Sequence, residues 1–405
     1  MDSHIGEKEI RTQKRLIGLF EKRLGYTVLG DWKDRENSNI EEKQLKKYLK
    51  KKRYSDSEIT KAIAILKRGA NDLSDGLYQA NLRIYNLLRY GINILPEVGE
   101  QKKFVHLIDW NNPHENDFYI AEEVTIKGKE KATKRPDLVI YVNGIALGVI
   151  ELKRCTSSVH NGIRQNLDNQ KDAFIPHFFT TMQFLFAGND TEGLYYGVID
   201  TPEKFWLRWK ESNSKEKNEL DRSTLQVFDK ERILELIHDF IIFDGGRKKA
   251  CRPNQFFGIK AAQPRARNKE SGIIWHSQGS GKSLTMVWLA RWIHENIDDA
   301  RVVIITDRDE LDKQIENAFK NAGEEVKRAK SGYQLIGMLN NANPWLICTL
   351  IHKFGKGSAD EEQDIYGKKR RKPLDKYLEE VANSLPTDFK AKGNLYVFVD
   401  ECHRT

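Results

Sequence analysis

The sequence predicts an α/β protein with a mixed β-sheet in its first half and a parallel, doubly wound sheet in its second half. Between residues 104 and 200, short apolar runs typical of β-strands follow one another closely, with helical segments among them. After residue 273, strands alternate with helices, which is the arrangement that produces a parallel sheet. These later strands are predicted at 302–306, 346–350 and 395–399.

Four segments are expected along the chain. Residues 1–100 are predicted to be helix and loop and are assigned to the first module, with one helix over 77–90 that ends at Gly91. A polar stretch at 210–224 indicates a surface loop or a domain boundary. The other segments are a mixed-sheet core at 101–215, a linker at 216–260, and the second domain at 261–405, which includes a polar insertion at 356–373.

Composition excludes several classes of protein. The hydrophobic fraction of 39% and the 28 glycines among 405 residues are typical of a globular chain. No apolar run approaches the roughly 20 residues of a membrane span, and the N-terminus lacks the apolar core of a secretory signal. The four cysteines are far apart in the sequence, which disfavours a disulfide framework or a zinc site made of four cysteines. We therefore expect a cytoplasmic protein with no membrane partner.

The charge balance favours a polyanionic partner. Lys and Arg total 67 against 59 for Asp and Glu, which gives a net charge of +8. Basic runs occur within 41–68 and at 127–135. The first run is either a solvated helix face or a contact with a nucleic-acid backbone, and the role of the second stays open, although its position suggests a backbone contact.

A glycine-rich segment between a predicted strand and a predicted helix has the features of a phosphate-binding loop. The strand is expected at 272–275, followed by His276-Ser-Gln-Gly279-Ser280-Gly281-Lys282-Ser283. Glycines let backbone N–H groups turn toward an anion, the lysine would reach the β- and γ-phosphates of ATP, and the final serine would ligate Mg²⁺. His276 replaces the first glycine of the usual pattern. A structural turn before a helix is the alternative.

Two adjacent acids follow the predicted strand at 395–399. Asp400 could hold Mg²⁺ and Glu401 could orient the water that attacks the γ-phosphate, so these residues would complete the site begun by the glycine-rich loop.

Two acids and a lysine lie on a predicted β-hairpin upstream. Asp137 precedes the first strand, Asn143-Gly144 forms the turn, and Glu151 and Lys153 share one face of the second strand. Carboxylates that converge on a hard cation bind Mg²⁺, and a neighbouring lysine would neutralise charge on a scissile phosphate. A surface hairpin with an ordinary salt bridge is the alternative.

The hairpin register adds a sharper expectation. With a strict two-residue turn, Asp137 would pair with Ile150 and would lie on the opposite face from Glu151. One extra residue in the second strand would correct this, so a β-bulge is predicted near Gly148.

The two motifs resemble two known families. The hairpin is similar to the PD-(D/E)xK nucleases, with Gln165 as a supporting glutamine and Asn169 where that family has tyrosine. The loop and the sequence DECH, which contains Asp400 and Glu401, resemble helicase superfamily two. In that family Gln255 would read adenine, although a turn residue is the alternative.

The order of the motifs resembles the restriction (motor and nuclease) subunit of type I restriction–modification enzymes. That resemblance implies a restriction-endonuclease-like domain and a RecA-like motor domain, with Mg²⁺- and ATP-dependent cleavage and translocation of double-stranded DNA. It also implies methylation and specificity subunits as partners. Since such a motor needs a second RecA-like domain, we expect an N-terminal fragment that does not translocate alone. A stand-alone helicase–nuclease of repair or phage defence, or a non-catalytic DNA-binding fragment, is the alternative.

Overall fold

A computed structural model describes residues 3–94, 103–128, 133–211, 215–306, 309–329, 331–350 and 389–400. The chain divides into two compact units, Met1–Pro253 and Asn254–Thr405. Among the helices that the structure describes, none combines the length and the apolar composition that a membrane span needs. The polar insertion predicted at 356–373 lies outside the described residues.

The first unit surrounds a mixed sheet with helices and small hairpins. Its elements are, in chain order, α1 (Ser3–Lys22), β1 (Thr27–Asp31), α2 (Glu42–Lys51), α3 (Asp56–Asn71), α4 (Gly76–Tyr90), β2 (Ile92–Ile94), β3 (Lys103–Val105), β4 (Phe118–Glu122), β5 (Ile126–Lys127), β6 (Thr133–Lys134), β7 (Leu138–Val142), β8 (Ile145–Leu152), α5 (His160–Asn169), α6 (Pro176–Phe179), β9 (Phe184–Asn189), β10 (Gly193–Gly197), β11 (Leu207–Arg208), α7 (Glu219–Val227), α8 (Lys230–Asp239), β12 (Ile241–Asp244) and β13 (Arg247–Ala250).

Seven strands form the large sheet, in the order β1-β4-β7-β8-β9-β10-β11. The pairs β1–β4 and β8–β9 are parallel and the other neighbours are antiparallel, so the sheet is mixed, as predicted. Strand β1 comes from the part of the chain that was predicted to be helix and loop. Its five residues, TVLGD, are short, contain glycine and aspartate, and have no alternating pattern, so they carry little strand signal.

Helix α4 coincides with the helix predicted over 77–90. It ends at Gly91, whose φ of +84° is a conformation that glycine adopts without steric cost. The segment 216–260, which was predicted to be a linker, contains α7, α8 and the β12–β13 hairpin, and the division between the units falls after Pro253. The polar stretch 210–224 accordingly runs into α7, which buries Leu220 and Thr224.

The β7–β8 hairpin has the turn that Asn143-Gly144 predicts. Both residues have positive φ, +53° and +88°, as a type I′ turn requires. Strand β8 lies at the centre of the large sheet and all eight of its residues are buried. The end of this strand is therefore shielded on both sides by neighbouring strands.

The predicted extra residue is present in β8. Val142 pairs with Ile145 and Tyr141 with Ala146, but Ile140 pairs with Gly148, so Leu147 is left over as a bulge. Beyond the bulge, Val139 pairs with Val149 and Leu138 with Ile150. Extending this register by one residue sets Asp137 opposite Glu151, as the sequence predicted.

The second unit contains a parallel sheet. Its elements are α9 (Pro253–Arg267), α10 (Lys282–Asn296), β14 (Ala300–Thr306), α11 (Asp309–Asn321), β15 (Lys327–Arg328), α12 (Gly332–Asn340), β16 (Leu346–Leu350) and β17 (Asn394–Val399). The strand order is β15-β16-β14-β17 and every pair is parallel. The three strands predicted for this region correspond to β14, β16 and β17.

The strand predicted at 272–275 is not formed. These residues are unpaired, and the side chains of Ile273 and Trp275 are 76% and 82% exposed. An apolar run of this length has strand propensity, but a strand also needs a neighbour, and none of the described strands pairs with it.

Candidate active site

The carboxyl groups of Asp137 and Glu151 meet at the end of the β7–β8 hairpin. The negative charge of Asp137 acts on the Glu151 carboxyl group, and the backbone N–H of Leu152 donates to Asp137 Oδ2 at 2.6 Å. Val139 lies two residues after Asp137, and Val149 lies two residues before Glu151. Both valines lie in the core on the same face of the sheet as the two acids. The bulge thus directs both acids to the face that also carries helix α5.

Burial dominates the electrostatics of this pair. Glu151 is completely buried, and burial, followed by the negative charge of Asp137, raises its pKa well above the ordinary value. Asp137 is partly accessible, yet burial of its carboxyl group raises its pKa to about 6, against the opposing positive charge of Lys153. Without a cation, the pair therefore resists carrying two negative charges.

The pair fits a hard divalent cation. Glu151 Oε1 is buried and has no hydrogen-bond partner among the described residues, which is rare for a carboxylate oxygen. Two convergent carboxylates, one with an unused oxygen, are the oxygen donors that Mg²⁺ prefers. A bound cation would also remove the penalty that burial places on their charges. Asp137 and Glu151 are thus the residues that could hold a metal ion.

Lys153 lies at the edge of this site. Its ammonium group donates to the Leu152 carbonyl at 2.8 Å and lies 4.0 Å from Glu9 Oε1 of helix α1. The adjacent Arg154 Nε is 3.5 Å from Glu9 Oε2. The positive charge of Lys153 favours ionisation of both Asp137 and Glu151.

Gln165 contacts Glu151 directly. Its side-chain N–H donates to Glu151 Oε2 at 2.6 Å from helix α5. Gly162, one turn earlier, allows this approach, because a Cβ at Gly162 would lie 3.3 Å from the Glu151 carbonyl oxygen and 3.2 Å from the Cβ of Ala187. Asn169, at the position where the nuclease family has tyrosine, is buried with no side-chain hydrogen bond among the described residues.

Helix α1 supplies residues that the sequence analysis did not identify. Glu9 adds a third carboxylate, and its charge contributes to raising the pKa values of Asp137 and Glu151. Gln13 donates to Glu123 Oε1 at 3.2 Å and to the Asp137 carbonyl at 3.4 Å. Glu9 and Gln13 are four residues apart and share a helix face, and Gln13 is buried. The signal that could have identified Glu9 and Gln13 is the presence of polar residues on a buried helical face.

The glycine-rich segment forms a tight loop that leads into α10. Gly279 and Gly281 have φ of +75° and +88°, the left-handed conformations expected of a phosphate loop. Helix α10 begins at Lys282, so Lys282 and Ser283 lie in its first turn. The Ser280 hydroxyl is buried with no hydrogen-bond partner among the described residues. Backbone N–H groups at a helix start are suited to binding an anion.

Gln255 lies against this loop. It is buried on α9, and its side-chain N–H donates to the Gly281 carbonyl at 2.9 Å, so it is joined to the loop and is not a turn residue. Asp400 directly follows β17, and its backbone N–H donates to the Ile305 carbonyl at 3.0 Å, at the carboxyl edge of the parallel sheet. Glu401, the other predicted acid, lies outside the described residues.

Two family matches agree with this division of the chain. Residues 6–204 match the family described as the type I restriction enzyme R protein N terminus. Residues 254–405 match the family described as the SWI2/SNF2 ATPase. These matches describe a unit similar to the N terminus of restriction enzyme R proteins, followed by a unit similar to SWI2/SNF2 ATPases. Residues 6–204 of the chain are thus similar to the N-terminal part of type I restriction enzyme R proteins.

Curated relatives carry the same description. The chain is similar to a putative type I restriction enzyme MjaIXP endonuclease subunit of Methanocaldococcus jannaschii, with 29% identity over 79% of this chain and 32% of the relative. It is 25% identical to the type I restriction enzyme HindI endonuclease subunit of Haemophilus influenzae, over 83% of this chain and 32% of that protein. A Staphylococcus aureus type I restriction enzyme endonuclease subunit is 25% identical over 76% of the chain. The chain spans about a third of the length of these relatives.

Proposed function

We propose that the chain is the nuclease and first motor portion of a type I restriction subunit, which cleaves double-stranded DNA with Mg²⁺ and binds ATP. The observation that carries this proposal is the β8 bulge at Leu147. It sets Asp137 opposite Glu151 and leaves a buried carboxylate oxygen without a partner among the described residues. An ordinary surface hairpin has no need of a buried pair of acids whose charges burial penalises.

Each side chain has a role in the proposed cleavage. Asp137 and Glu151 would hold Mg²⁺, which, when bound, activates water and stabilises charge on the scissile phosphate. Gln165 fixes the Glu151 carboxyl group through its 2.6 Å hydrogen bond. Lys153 presents an ammonium group to the negative charge that develops on the phosphate. Glu9, which lies 4.0 Å from Lys153, would hold that ammonium group in place until DNA binds.

The loop at 276–283 is the proposed ATP site. Gly279, Ser280 and Gly281 would turn backbone N–H groups toward the phosphates, Lys282 would pair with the β- and γ-phosphates, and Ser283 would ligate Mg²⁺. Asp400 would bind the same ion and Glu401 would orient the attacking water. Gln255 would contact adenine while it holds the loop. These assignments rest on the residue types and on the glycine conformations.

The proposed partners follow from the family. The relatives are named as subunits of type I restriction enzymes, and we propose that this chain also acts in the cytoplasm beside methylation and specificity subunits. Cleavage coupled to DNA translocation is proposed for the complete restriction subunit, of which this chain matches about a third.

Plasmid nicking tests the nuclease proposal. Supercoiled DNA is incubated with the chain and Mg²⁺ or Mn²⁺, and wild type is compared with Glu151→Ala and Lys153→Ala. We expect each substitution to slow nicking by at least about 100-fold, because Glu151→Ala removes a ligand of the proposed Mg²⁺ and Lys153→Ala removes the positive charge that faces the phosphate. Lys204→Ala, an exposed lysine of the same unit, should nick like wild type. Equal activity in all four proteins would indicate a contaminating nuclease and a DNA-binding role for the chain.

A further inference from the structure

Helix α9 contacts the glycine-rich loop at two points. Gln255 and Gly258 are three residues apart on α9 and therefore share a face. Gln255 holds the end of the loop through its 2.9 Å hydrogen bond to the Gly281 carbonyl. Gly258 lies beneath the start of the loop, since a Cβ built on it would be 3.3 Å from Nε2 and 3.4 Å from Cε1 of the His276 ring.

The residue sizes at this contact are matched. His276 stands where the phosphate-loop pattern has glycine, and the residue that faces it on the helix is glycine. A side chain at position 258 would be tighter against the imidazole than most real contacts allow. The missing side chain on α9 thus makes room for the ring on the loop.

Two polar groups of the loop are buried without partners. His276 Nδ1 and Ser280 Oγ have no hydrogen-bond partner among the described residues, although both atoms are shielded from solvent. Buried polar groups are normally paired, and those without a partner call for an explanation such as a missing ligand. Both groups belong to the segment that would wrap a triphosphate.

We propose that His276 is a positioning residue of the nucleotide site, whose ring, seated on Gly258, holds the start of the loop against α9 while Gln255 holds Gly281. This inference rests on the proposed function of the loop as an ATP site. The usual glycine at this position would leave the backbone free, whereas the His276 side chain anchors it to α9. The loop would then be held in place before ATP binds, which lowers the entropic cost of binding.

A double-mutant cycle tests the contact. His276→Gly, which restores the usual pattern, Gly258→Ala and the double variant are compared with the unchanged chain. Amide hydrogen exchange of residues 277–283 without nucleotide measures loop positioning, and titration with a fluorescent N-methylanthraniloyl ATP plus Mg²⁺ measures affinity. We expect each single variant to exchange at least about threefold faster in the loop and to bind at least about fivefold more weakly. Alanine at 258 should add no further loss once the ring is absent.

The control is Gly337→Ala on helix α12, where a Cβ would meet nothing within 4 Å. This variant should leave loop exchange and nucleotide affinity unchanged. The unfolding temperature of Gly258→Ala is measured as well, because improved helix propensity offsets only part of its overpacking, and a merely structural role would lower that temperature without speeding exchange selectively in the loop. Unchanged loop exchange in His276→Gly, or additive effects in the double variant, would overturn the inference. If the unchanged chain binds no nucleotide, the proposed ATP site is wrong, and the exchange measurement still decides the role of His276.

Discussion

Asp137 shows how the proposed metal site affects the stability of the fold. Its carboxyl group must be ionised to bind a cation, yet burial raises its pKa to about 6 from an ordinary value of 3.8. The folded chain therefore binds a proton that the unfolded chain does not between these two pH values. The contribution of the Asp137 carboxyl group to the free energy of unfolding is fully present below about pH 4 and is lost as the pH rises through about 6.

We predict that Asp137→Asn stabilises the metal-free chain at pH 7.5 but not at pH 4. The amide can still accept the hydrogen bond from Leu152, and it has no charge to desolvate. The expected gain is on the order of 1–2 kcal/mol, less than the full pKa shift would give because Asp137 is partly accessible. Urea unfolding at the two pH values measures it. Mg²⁺ should stabilise wild type and not the variant, and a destabilised variant at pH 7.5 would contradict the prediction.

At the residue scale, the sequence predicted the site only where a motif or a geometric rule applied. Asp137, Glu151 and Lys153 were proposed as candidates from their spacing, and the bulge followed from the two-residue periodicity of a strand. Glu9 was not identified, because helix α1 is about 130 residues distant along the chain and a tertiary contact of that range leaves no local pattern. Gln165 was proposed from family resemblance, and its bond to Glu151 was not derivable from spacing alone.

At the scale of elements, helix α5 determines how closely Gln165 approaches Glu151. Gly162 packs against strands β8 and β9, with the nearest neighbours of a hypothetical Cβ at 3.2 to 3.4 Å. The glycine is not required by backbone conformation, since its φ is not in the positive range. Its small size is what lets the helix lie close to the sheet.

We therefore predict that Gly162→Ala moves α5 away from β8 and slows nicking. The overpacking should cost about 1–3 kcal/mol, partly offset by about 1 kcal/mol of improved helix propensity. Thermal unfolding and plasmid nicking measure the two effects. Gly18→Ala on α1 is the matched control, because a Cβ there meets nothing within 4 Å, and it should be neutral or stabilising. Equal nicking by Gly162→Ala and wild type would show that the approach of α5 is not needed.

Elements were predicted well where local pattern and tertiary environment agree. The NG turn, helix α4 and the strands β14, β16 and β17 have strong periodicity or fixed turn chemistry. The strand expected at 272–275 failed for a different reason, since its residues have strand propensity but no paired neighbour among the described strands. Strand β1 has the opposite character, with weak propensity but pairing to β4.

At the scale of the whole molecule, the chain divides after Pro253. Every residue of the proposed nuclease site lies before this division, and the large sheet with its helices is complete within the first unit. The polar stretch at 210–224, which was interpreted as a surface loop or a domain boundary, runs into α7, because composition does not distinguish an exposed loop from the start of an amphipathic helix.

We predict that residues 1–253 fold and nick DNA without the second unit. Circular dichroism and a single cooperative thermal transition measure folding, and nicking of supercoiled DNA with Mg²⁺ measures activity. The rate per molecule should lie within about threefold of the 405-residue chain, because the site uses no residue beyond 253. Glu151→Gln in the shorter protein should abolish nicking. An insoluble or inactive shorter protein, with an active longer one, would show that the second unit is needed.

The bulge at Leu147 has a consequence for comparative genomics. Removal of one codon there would leave the aspartate, glutamate and lysine of the motif intact in any alignment, yet would return the hairpin to a strict register and turn the two carboxylates to opposite faces. A search for the sequence motif would still assign such a gene as a nuclease. Whether the two acids point to the same face of the hairpin is therefore a better criterion than their presence in the sequence for distinguishing active homologues from pseudoenzymes.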